Sequence, residues 1–382
     1  MSAVEAGRST DFDILVIGAG AAGVCAAHVL CARGLRVGLV DNRAKCPPTF
    51  KAEKLEPDQF AILKEIDLLQ QAMPAISPLR EVVVYRRDSI IQRLKIDQFG
   101  MHYHDFVNTL RDKLPSAVTQ IIDTASELDT AGSNPAVKLQ SGGTVTARLV
   151  VVAAGTSGRL RQVTGAVRRD VSTHHSIAFG FDLALDAGGL PHDGVNVLPD
   201  RYSDRVGFLT LFPTPVGVRA NLFSYHDPQS EWSREMRLNT GAALERTFSR
   251  LRRVVGNFTI VGRVNAAAID LWTSDVTPQP GVVLIGDAFQ SVCPVTGTGL
   301  SKVLTDVHVL GQMAPEWLAT PGMSAGKTAA YYASAAKRSS DERSLQSALY
   351  SKRASIDQGL RARLARFRRD TIGRLRYVTA AS

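Results

Sequence analysis

The stretch that decides the fold is DILVIGAGAAGVCAAHVLCARGLRVGLVD, residues 13–41. Within it, Ile14–Ile17 is a continuous apolar run, which is typical of a strand buried on both faces of a parallel sheet. A helix is predicted from about Gly20 to Arg33, because Gly34 is the kind of residue that commonly ends a helix. A second strand, Arg36–Val40, leads into an acid. The order of strand, tight turn, helix and strand predicts a βαβ unit.

The turn between the first strand and the helix carries Gly18, Gly20 and Gly23 in the pattern Gly-x-Gly-x-x-Gly. In such turns the first glycine permits the bend, the second lets a pyrophosphate approach the backbone, and the third lets the helix pack on the strand. Asp41 follows the last glycine by 18 residues and can accept hydrogen bonds from a ribose. The alternative is a purely structural glycine turn. With strand, helix and acid all in register, the pattern predicts dinucleotide binding.

A second glycine-rich loop, GDAFQSVCPVTGTGLSKV, occupies residues 286–303, between a predicted buried strand and a predicted helix. Asp287 can accept hydrogen bonds from a polyol chain, and Pro294 stiffens the loop. Gly297 and Gly299 expose amides at the start of the helix, an end that stabilises negative charge. We interpret this loop as a second cradle for an extended dinucleotide; the alternative is an ordinary connection between strand and helix.

The remaining pattern separates two kinds of region. Helices are predicted over residues 51–75 and Asp105–Leu114, and short strands over residues 118–152. Alternating, aromatic-rich segments from 176 to 270 predict an antiparallel sheet interrupted by one helix, and the chain is mostly helical after 286. The predicted organisation is a nucleotide-binding part at 1–175 with a substrate-side segment at about 76–100, an antiparallel-sheet part at 176–275, a second cofactor segment at 276–320 and basic helices at 321–382.

The composition is that of an ordinary globular protein, with 45% apolar and 21% charged residues among 382. No apolar run approaches the roughly 20 residues that a membrane-spanning helix needs. The N-terminal segment lacks the apolar core of a secretory signal, so we expect a cytoplasmic protein. The four cysteines and eight histidines show no metal-ligand spacing, and no metal site is expected.

Positive charge is concentrated at the C-terminus, where Lys352–Arg376 holds nine Lys or Arg against two Asp. The apolar residues in this stretch predict an amphipathic helix with a basic outer face. That face is either simply solvated or contacts an acidic carrier, an anionic substrate or a membrane surface. Nucleic acid is not expected as a partner, because no aromatic residues alternate with the basic ones.

Together these motifs resemble the p-hydroxybenzoate hydroxylase-type flavoproteins, the group A FAD monooxygenases, which share their scaffold with flavin halogenases and geranylgeranyl reductases. The resemblance spans residues 12–312 and is carried by GAGAAG, Asp41, GDAFQSVCPVTGTG and the sheet-rich region between them. It implies an α/β fold with α+β elements: a Rossmann-like GxGxxG FAD-binding domain, an inserted antiparallel-sheet substrate domain and a helical C-terminus. It implies FAD contacts at Gly18, Gly20, Ala21, Ala22, Gly23, Asp41, Asn42, Lys51, Ala125, Gly155, Asp287, Pro294, Gly297, Thr298, Gly299 and Leu300.

The resemblance also implies an activity. NADH or NADPH would reduce FAD without a dedicated domain, and O2 would form a C4a-hydroperoxide that hydroxylates an aromatic or conjugated small molecule. Because this chemistry belongs to the flavin, no catalytic side chain is predicted. Phe212, Pro213 and Tyr225 are candidate substrate-lining residues, and Arg219, if it faced inward, would favour an acidic substrate.

Two positions depart from the family pattern. Tyr103 stands where an Arg or Gln often opens the helix, and Ala154-Gly155 stands where many group A hydroxylases have Asp-Gly. The missing carboxylate leaves open a flavoprotein reductase, dehydrogenase or oxidase on the same scaffold, and a non-redox flavin binder is a third possibility. The tryptophan-halogenase signature WxWxIP is absent from the sequence, which argues against halogenation.

Overall fold

The computed structural model describes residues 10–186 and 188–359, whose strands form two sheets. The first sheet contains β1 (Phe12–Ile17), β2 (Val37–Asp41), β6 (Thr119–Ile122), β7 (Ala125–Asp129), β8 (Ala136–Leu139), β9 (Thr144–Val152) and β15 (Val282–Leu284). The second sheet contains β3 (Lys54–Leu55), β4 (Ile76–Arg86), β5 (Ser89–Met101), β10 (Val167–Leu185), β11 (Gly194–Leu198), β12 (Val206–Thr214), β13 (Gly217–Ser224) and β14 (Phe258–Asp275).

The core of the first sheet is parallel, in the order β6-β2-β1-β9 with β15 on the far side of β9. Its short apolar runs are almost completely buried, as the sequence predicts for strands covered on both faces. Ile17 and Leu284 both pair with Val152, one from each side. The residues that follow β1 and β15 therefore leave the sheet at the same carboxyl edge, where open α/β sheets bind their ligands. β7 and β8 extend β9 as an antiparallel meander.

The second sheet has the order β14-β10-β13-β12-β11-β4-β5-β3. It is mixed rather than purely antiparallel, because β11 pairs with β4 in parallel while the other pairs are antiparallel. β4 and β5 come from residues 76–101 and so carry an early part of the chain into this sheet. Its buried side chains form their own apolar cluster.

The helices are α1 (Ala21–Ala32), α2 (Pro57–Glu65), α3 (Leu69–Ala72), α4 (Tyr103–Asp112), α5 (Gly158–Val163), α6 (Glu231–Leu238), α7 (Thr240–Thr247), α8 (Leu251–Val255), α9 (Thr298–Leu318), α10 (Ala325–Ala333) and α11 (Ala335–Ile356). Buried residues of α1, α4 and α9 form one cluster with the first sheet. α1 and α9 approach closely, since a Cβ on Gly311 would lie 2.5 Å from Val29 Cγ1. The two helices that follow the glycine-rich loops are thus packed on each other.

The predicted fold class is confirmed, and β1, α1 and β2 lie where the sequence predicts them. Two helix predictions are wrong in detail. The helix expected over residues 51–75 begins only at Pro57, because residues 54–55 pair with β5, and it breaks at Asp67, which has φ +58°. The one helix expected inside the second sheet, over residues 238–255, is two helices, α7 and α8, because Phe248 is non-helical (φ −130°, ψ 73°). The helix α6, which precedes them, was not predicted.

The C-terminal part is helical as expected, through α9, α10 and α11. The basic helix predicted over Lys352–Arg376 falls mostly outside the described residues, since these end at position 359. None of the helices in the described part of the chain combines the length and the apolar character that crossing a membrane requires.

One buried histidine lies where β10 meets the C-terminal helices. His175 is 0% exposed, and its ring makes an edge contact with the Tyr225 ring at 6.1 Å between centroids. Burial, together with the nearby Lys352 ammonium, lowers the pKa of His175 to about 4. Below a pH of about 6.5 the unfolded chain therefore binds a proton that the folded chain does not, which disfavours folding.

We expect His175 to lower the free energy of unfolding in acid. The free energy of unfolding should fall from about pH 6.5 towards pH 4, with His175 contributing as much as about 3 kcal/mol to that fall. Urea unfolding measured between pH 4 and pH 8 should show a flatter pH dependence for His175→Gln than for the parent. Met236→Ala, in the buried cluster of the second sheet, removes no titratable group; it is the control and should keep the pH dependence of the parent. Equal slopes for all three proteins would contradict the prediction.

Candidate functional site

A cavity of about 1480 Å3 opens at the carboxyl edge of the first sheet. It exceeds the roughly 300–1,000 Å3 of a typical small-ligand pocket, so it has room for an extended cofactor and a second molecule. Its lining includes residues 17, 18, 20–22 and 41–43 from the first glycine-rich region and residues 291, 292 and 294–301 from the second. The two loops, nearly 300 positions apart in the sequence, thus face one space. Among the described residues, no group of three or more His, Cys, Asp or Glu could hold a metal ion.

The turn between β1 and α1 is built by close backbone packing. Gly18 has φ +97°, and a Cβ there would lie 2.6 Å from the Ala153 carbonyl oxygen. A Cβ on Gly23 would lie only 1.7 Å from the Gly18 carbonyl oxygen. These two positions therefore exclude any side chain. A Cβ on Gly20 would not clash with backbone; its nearest neighbour would be the Tyr103 hydroxyl at 3.1 Å.

Asp41 and Arg111 hold the ends of this turn. Asp41 accepts hydrogen bonds from the amides of Ala19 at 2.7 Å and Arg43 at 3.0 Å. The Arg111 guanidinium, which is 7% exposed, donates to the carbonyl oxygens of Ala19 and Arg43 and lies 3.4 Å from an Asp41 oxygen. The carboxylate has further acceptor capacity for a ribose hydroxyl. Arg111 escaped sequence reasoning because an arginine in the last turn of a helix is normally a solvated residue.

The N-terminus of α1 meets a tyrosine rather than an arginine. The Tyr103 hydroxyl oxygen accepts a hydrogen bond from the Ala21 amide at 3.0 Å. Its own proton can be donated to an anion at the same helix end. Tyr103 thus occupies the position that often carries Arg or Gln in the resembling family, and it supplies a neutral donor there.

Lys51 lines the cavity and contacts several parts of its wall. Its Nζ lies 3.6 Å from an Asp287 carboxylate oxygen, 5.6 Å above the Tyr103 ring centroid and 3.7 Å from the position of a Cβ on Gly155. Burial alone would lower the pKa of Lys51, but Tyr103 and Asp287 outweigh burial and raise it. Lys51 is therefore a cation at pH 7 that contacts the first-sheet loops and the second glycine-rich loop.

The second glycine-rich loop is braced from α2. The Gln59 side-chain amide donates to the Gly297 carbonyl oxygen at 2.7 Å and to the Ser301 hydroxyl at 2.9 Å. Gly297 has φ +68° and caps the N-terminus of α9, the helix whose first-turn amides lack intrahelical acceptors. A Cβ on Gly299 would meet no neighbour closer than 4.0 Å. That glycine serves no packing contact, so its lack of a side chain leaves open cavity at the helix end, which fits a bound flavin ring.

The opposite wall is a row of four residues across the second sheet. Phe208 pairs with Phe223, Phe223 with Ala178, and Ala178 with Ala267, so the four side chains share one face. All four line the cavity. We call Phe208, Phe223, Ala178 and Ala267 the sheet row. Two phenyl rings beside two alanines form an apolar recess for a flat molecule.

Charged side chains at this end are mostly paired. Arg168 binds Asp170 at 2.6 Å and Asp270 at 3.2 Å. Arg219, only 3% exposed, forms two hydrogen bonds to Glu53, at 2.7 and 3.0 Å. The Glu53 carboxylate therefore neutralises the Arg219 guanidinium, the group that would favour an acidic substrate if it faced inward.

Lys54 also lines the cavity near the sheet, with its Nζ 5.8 Å from the Phe212 ring centroid. Burial lowers the pKa of Lys54, and the neighbouring Glu56 carboxylate offsets part of that effect.

The structure brings most of the predicted site residues together. The cavity lining includes Gly18, Gly20, Ala21, Ala22, Asp41, Asn42, Lys51, Ala125, Gly155, Asp287, Pro294, Gly297, Thr298, Gly299 and Leu300. Gly23 is not in the lining, because it packs against the Gly18 backbone. That these residues bind FAD stays a prediction.

The candidate substrate residues lie elsewhere. Phe212, Pro213 and Tyr225 are not among the cavity-lining residues. Phe212 is 0% exposed, and its ring and the Pro213 carbonyl fill the space beside Gly100. Tyr225 is buried against His175. Phe212 lies four residues after Phe208, and Tyr225 two after Phe223, so the alternation of side chains along a strand does not separate them from the sheet row. They do not line the cavity because other residues cover them: Phe212 packs beside Gly100, and Tyr225 packs against His175.

Comparison with known proteins identifies a family. Residues 11–319 match the FAD binding domain family. Squalene epoxidase 3 of Arabidopsis thaliana is 26% identical over 321 residues, covering 79% of this chain; the chain spans 59% of that relative. The p-nitrophenol 4-monooxygenase PnpA from Pseudomonas putida DLL-E4 superimposes with a TM-score of 0.78 at 16% identity, covering 96% of this chain and 94% of that chain.

A second solved structure is similar. PqsL from Pseudomonas aeruginosa, described as a probable FAD-dependent monooxygenase, has a TM-score of 0.71 at 18% identity and covers 91% of this chain and 97% of its own. At such identities the structural likeness concerns the fold alone. The family expected from the two glycine-rich loops is confirmed by the match over residues 11–319.

Arg111 should be required for this end of the site. Arg111→Met removes a charged donor from two carbonyl oxygens and leaves them unsatisfied, so we expect a loss of about 3 kcal/mol in unfolding free energy and weaker FAD binding. Thermal unfolding and FAD fluorescence titration measure the two effects. Arg33→Met, at an exposed position after α1, is the control and should behave like the parent. Parent-like stability and affinity in Arg111→Met would show that the guanidinium does not organise the turn.

Proposed function

This chain belongs to the FAD binding domain family of flavin-dependent oxidoreductases, and from that premise we propose that it is an FAD-dependent monooxygenase. The proposed substrate is an uncharged aromatic or conjugated small molecule. One atom of O2 enters the substrate and the other leaves as water, with two electrons from NADH or NADPH. The observation that carries the proposal is a single cavity lined by both glycine-rich loops and by the apolar sheet row.

Bound FAD supplies the redox chemistry and the activation of O2. The chain's part is to bind and orient it. In the proposed arrangement, amides at the N-terminus of α1 and the Tyr103 hydroxyl donate to the pyrophosphate, and Asp41 accepts from a ribose. Asp287 accepts from the ribityl chain, and Lys51 provides positive charge between them. The N-terminus of α9, at Gly299, stabilises negative charge on the reduced ring.

The sheet row supports an uncharged substrate. A flat ring lying on Phe208 and Phe223 is held by apolar contact and aromatic packing and excludes water from the reaction. Burying a charged substrate beside this wall would need an unpaired counter-charge, whereas the guanidinium groups of Arg168 and Arg219 are already paired. The Lys54 amine is a candidate donor to an oxygen substituent of the ring.

The proposed function is tested with the purified protein. It should be yellow, release FAD on acid precipitation, and be reduced anaerobically by NADH or NADPH. On admission of 18O2 with a panel of uncharged phenols, polycyclic aromatics and polyenes, at least one product should gain one heavy oxygen atom by mass spectrometry.

Two outcomes would contradict this proposal in different ways. Protein that cannot be loaded with FAD would defeat the cofactor assignment. Flavin reduction followed by hydrogen peroxide release with every compound, and no oxygen gained, would favour the reductase or oxidase reading.

The sheet row gives a second prediction. Ala267→Phe puts a phenyl group into the recess next to Ala178, so the substrate KM should rise about tenfold or more while FAD affinity stays at the parent value. Ala266→Phe adds the same group one position earlier, at a residue that does not line the cavity, and serves as the control. Steady-state kinetics and flavin fluorescence separate the two effects. An unchanged KM in Ala267→Phe would remove the sheet row from the substrate site.

A further inference from the structure

Four charged side chains are buried together between α9 and α11. Lys302 and Asp306 lie four residues apart on α9, and Lys337 and Asp341 lie four apart on α11. Each ammonium contacts both carboxylates: Lys302 at 3.1 and 3.2 Å, and Lys337 at 2.9 and 3.2 Å. The side chains of Lys302, Asp306 and Lys337 are at most 1% exposed, and that of Asp341 is 14% exposed. We call these four residues the quartet; its net charge is zero.

The quartet forms hydrogen bonds with the backbone at the start of the second glycine-rich loop. Asp306 accepts a hydrogen bond from the Gly286 amide at 2.7 Å, and Lys302 donates to the Gly286 carbonyl oxygen at 3.1 Å. Both backbone polar groups of one residue are therefore held by the quartet. Gly286 has φ +60°, a conformation that favours glycine, and it directly precedes Asp287. Burial would raise the pKa of Asp306, but Lys302 and Lys337 outweigh burial and lower it.

The same side chains hold the next residues of the turn. The Lys337 Nζ lies 4.0 Å from the Phe289 ring centroid and the Lys302 Nζ lies 5.3 Å from it, both within cation–π distance. The Gln290 side-chain amide donates to the Asp341 carbonyl oxygen at 3.1 Å. Residues 286–290 are thus fixed at three points against α9 and α11. Among the described residues, none after Val303 lines the cavity, so α11 acts on it through the segments that it packs against, and this turn is one of them.

Stability alone does not account for four buried charges. Apolar residues of similar volume usually stabilise a core as well as a buried ion pair does, whereas removing one partner leaves an uncompensated charge. Charge pairs, unlike apolar contacts, require one particular alignment of the two helices. A shift of α11 by one turn along α9 would break both pairs that join the helices, Lys302–Asp341 and Lys337–Asp306. The quartet therefore specifies where α11 docks and, through Lys302 and Asp306, where Gly286 lies.

We propose that the quartet is a positioning device that sets the Gly286–Asp287 turn for the cofactor, and that α11 is thereby part of the cofactor site. This inference rests on the proposed function in that the cofactor is taken to be FAD. Lys337 and Asp341 are positioning residues that act through Lys302 and Asp306. The group whose position they set is the Asp287 carboxylate.

The test compares Lys337→Met with the double variant Lys337→Met/Asp341→Leu. The single change leaves Asp306 and Asp341 sharing the one ammonium of Lys302, with a buried net charge of −1, so the FAD Kd should rise about tenfold or more. The midpoint potential of the bound flavin should also shift. The double change removes one charge of each sign and leaves Lys302 paired with Asp306, so affinity and potential should return towards the parent values. If the single variant does not fold, the double variant and Asp306→Asn carry the comparison.

A matched control separates positioning from general stability. Met236→Ala, in the buried cluster of the second sheet, lowers the melting temperature away from the turn and should leave the FAD Kd unchanged. Equal loss of FAD affinity in Met236→Ala and Lys337→Met, at equal melting temperature, would overturn the proposal, as would parent-like affinity in Lys337→Met.

A readout without FAD keeps the inference distinct from the proposed function. In cofactor-free protein, hydrogen exchange of a peptide covering residues 282–290 should be faster in Lys337→Met than in the parent, and slow again in the double variant. Unchanged exchange would show that the quartet does not hold the turn. A parent protein that binds no FAD would defeat the proposed function, while the exchange result would still decide whether the quartet holds Gly286.

Discussion

The parallel pairing of β1 and β15 on the two sides of β9 is the constraint on which the site depends. Ile17 and Leu284 both take Val152 as partner, so Gly18 and Gly286 start their turns at neighbouring points of one sheet edge. These two turns and the helices after them supply much of the cavity lining at this edge, and Lys51, Tyr103 and Arg111 complete it. The close packing of α1 on α9 then keeps both helix N-termini directed at the same space.

Charge pairing divides this space into two chemically different ends. At the cofactor end, Asp41, Lys51 and Asp287 are partly exposed and can exchange contacts with a ligand. At the sheet end, Arg219 is buried with Glu53, so the wall presents mainly apolar surface. A charged, extended cofactor and an uncharged substrate are the ligands that suit such a division, since a buried charge without a partner is costly.

The sequence was sufficient for the elements whose signals are local. Continuous apolar runs, glycine spacing and a terminal acid predicted β1, α1 and β2, and the second glycine-rich loop lines the same cavity as the first, as two parts of one binding site must. It failed where long-range pairing overrides local preference: residues 54–55 join β5 rather than a helix. Nor did it identify which residues of β12 and β13 line the cavity, because Phe208 and Phe212 have the same strand spacing and only the packing of Phe212 beside Gly100 keeps it out of the lining.

By itself, the sequence determined the fold class and the positions of the two glycine-rich loops that line the cavity, because glycine at a strained turn and apolar residues in a buried strand are local requirements. Only the tertiary structure decided which charged side chains are paired within the protein and which can contact a ligand. Arg111 on α4, Arg219 on β13 and the quartet on α9 and α11 find partners from distant parts of the chain. The energy of a buried charge depends on what lies within a few ångströms of it, and sequence separation carries no information about that distance.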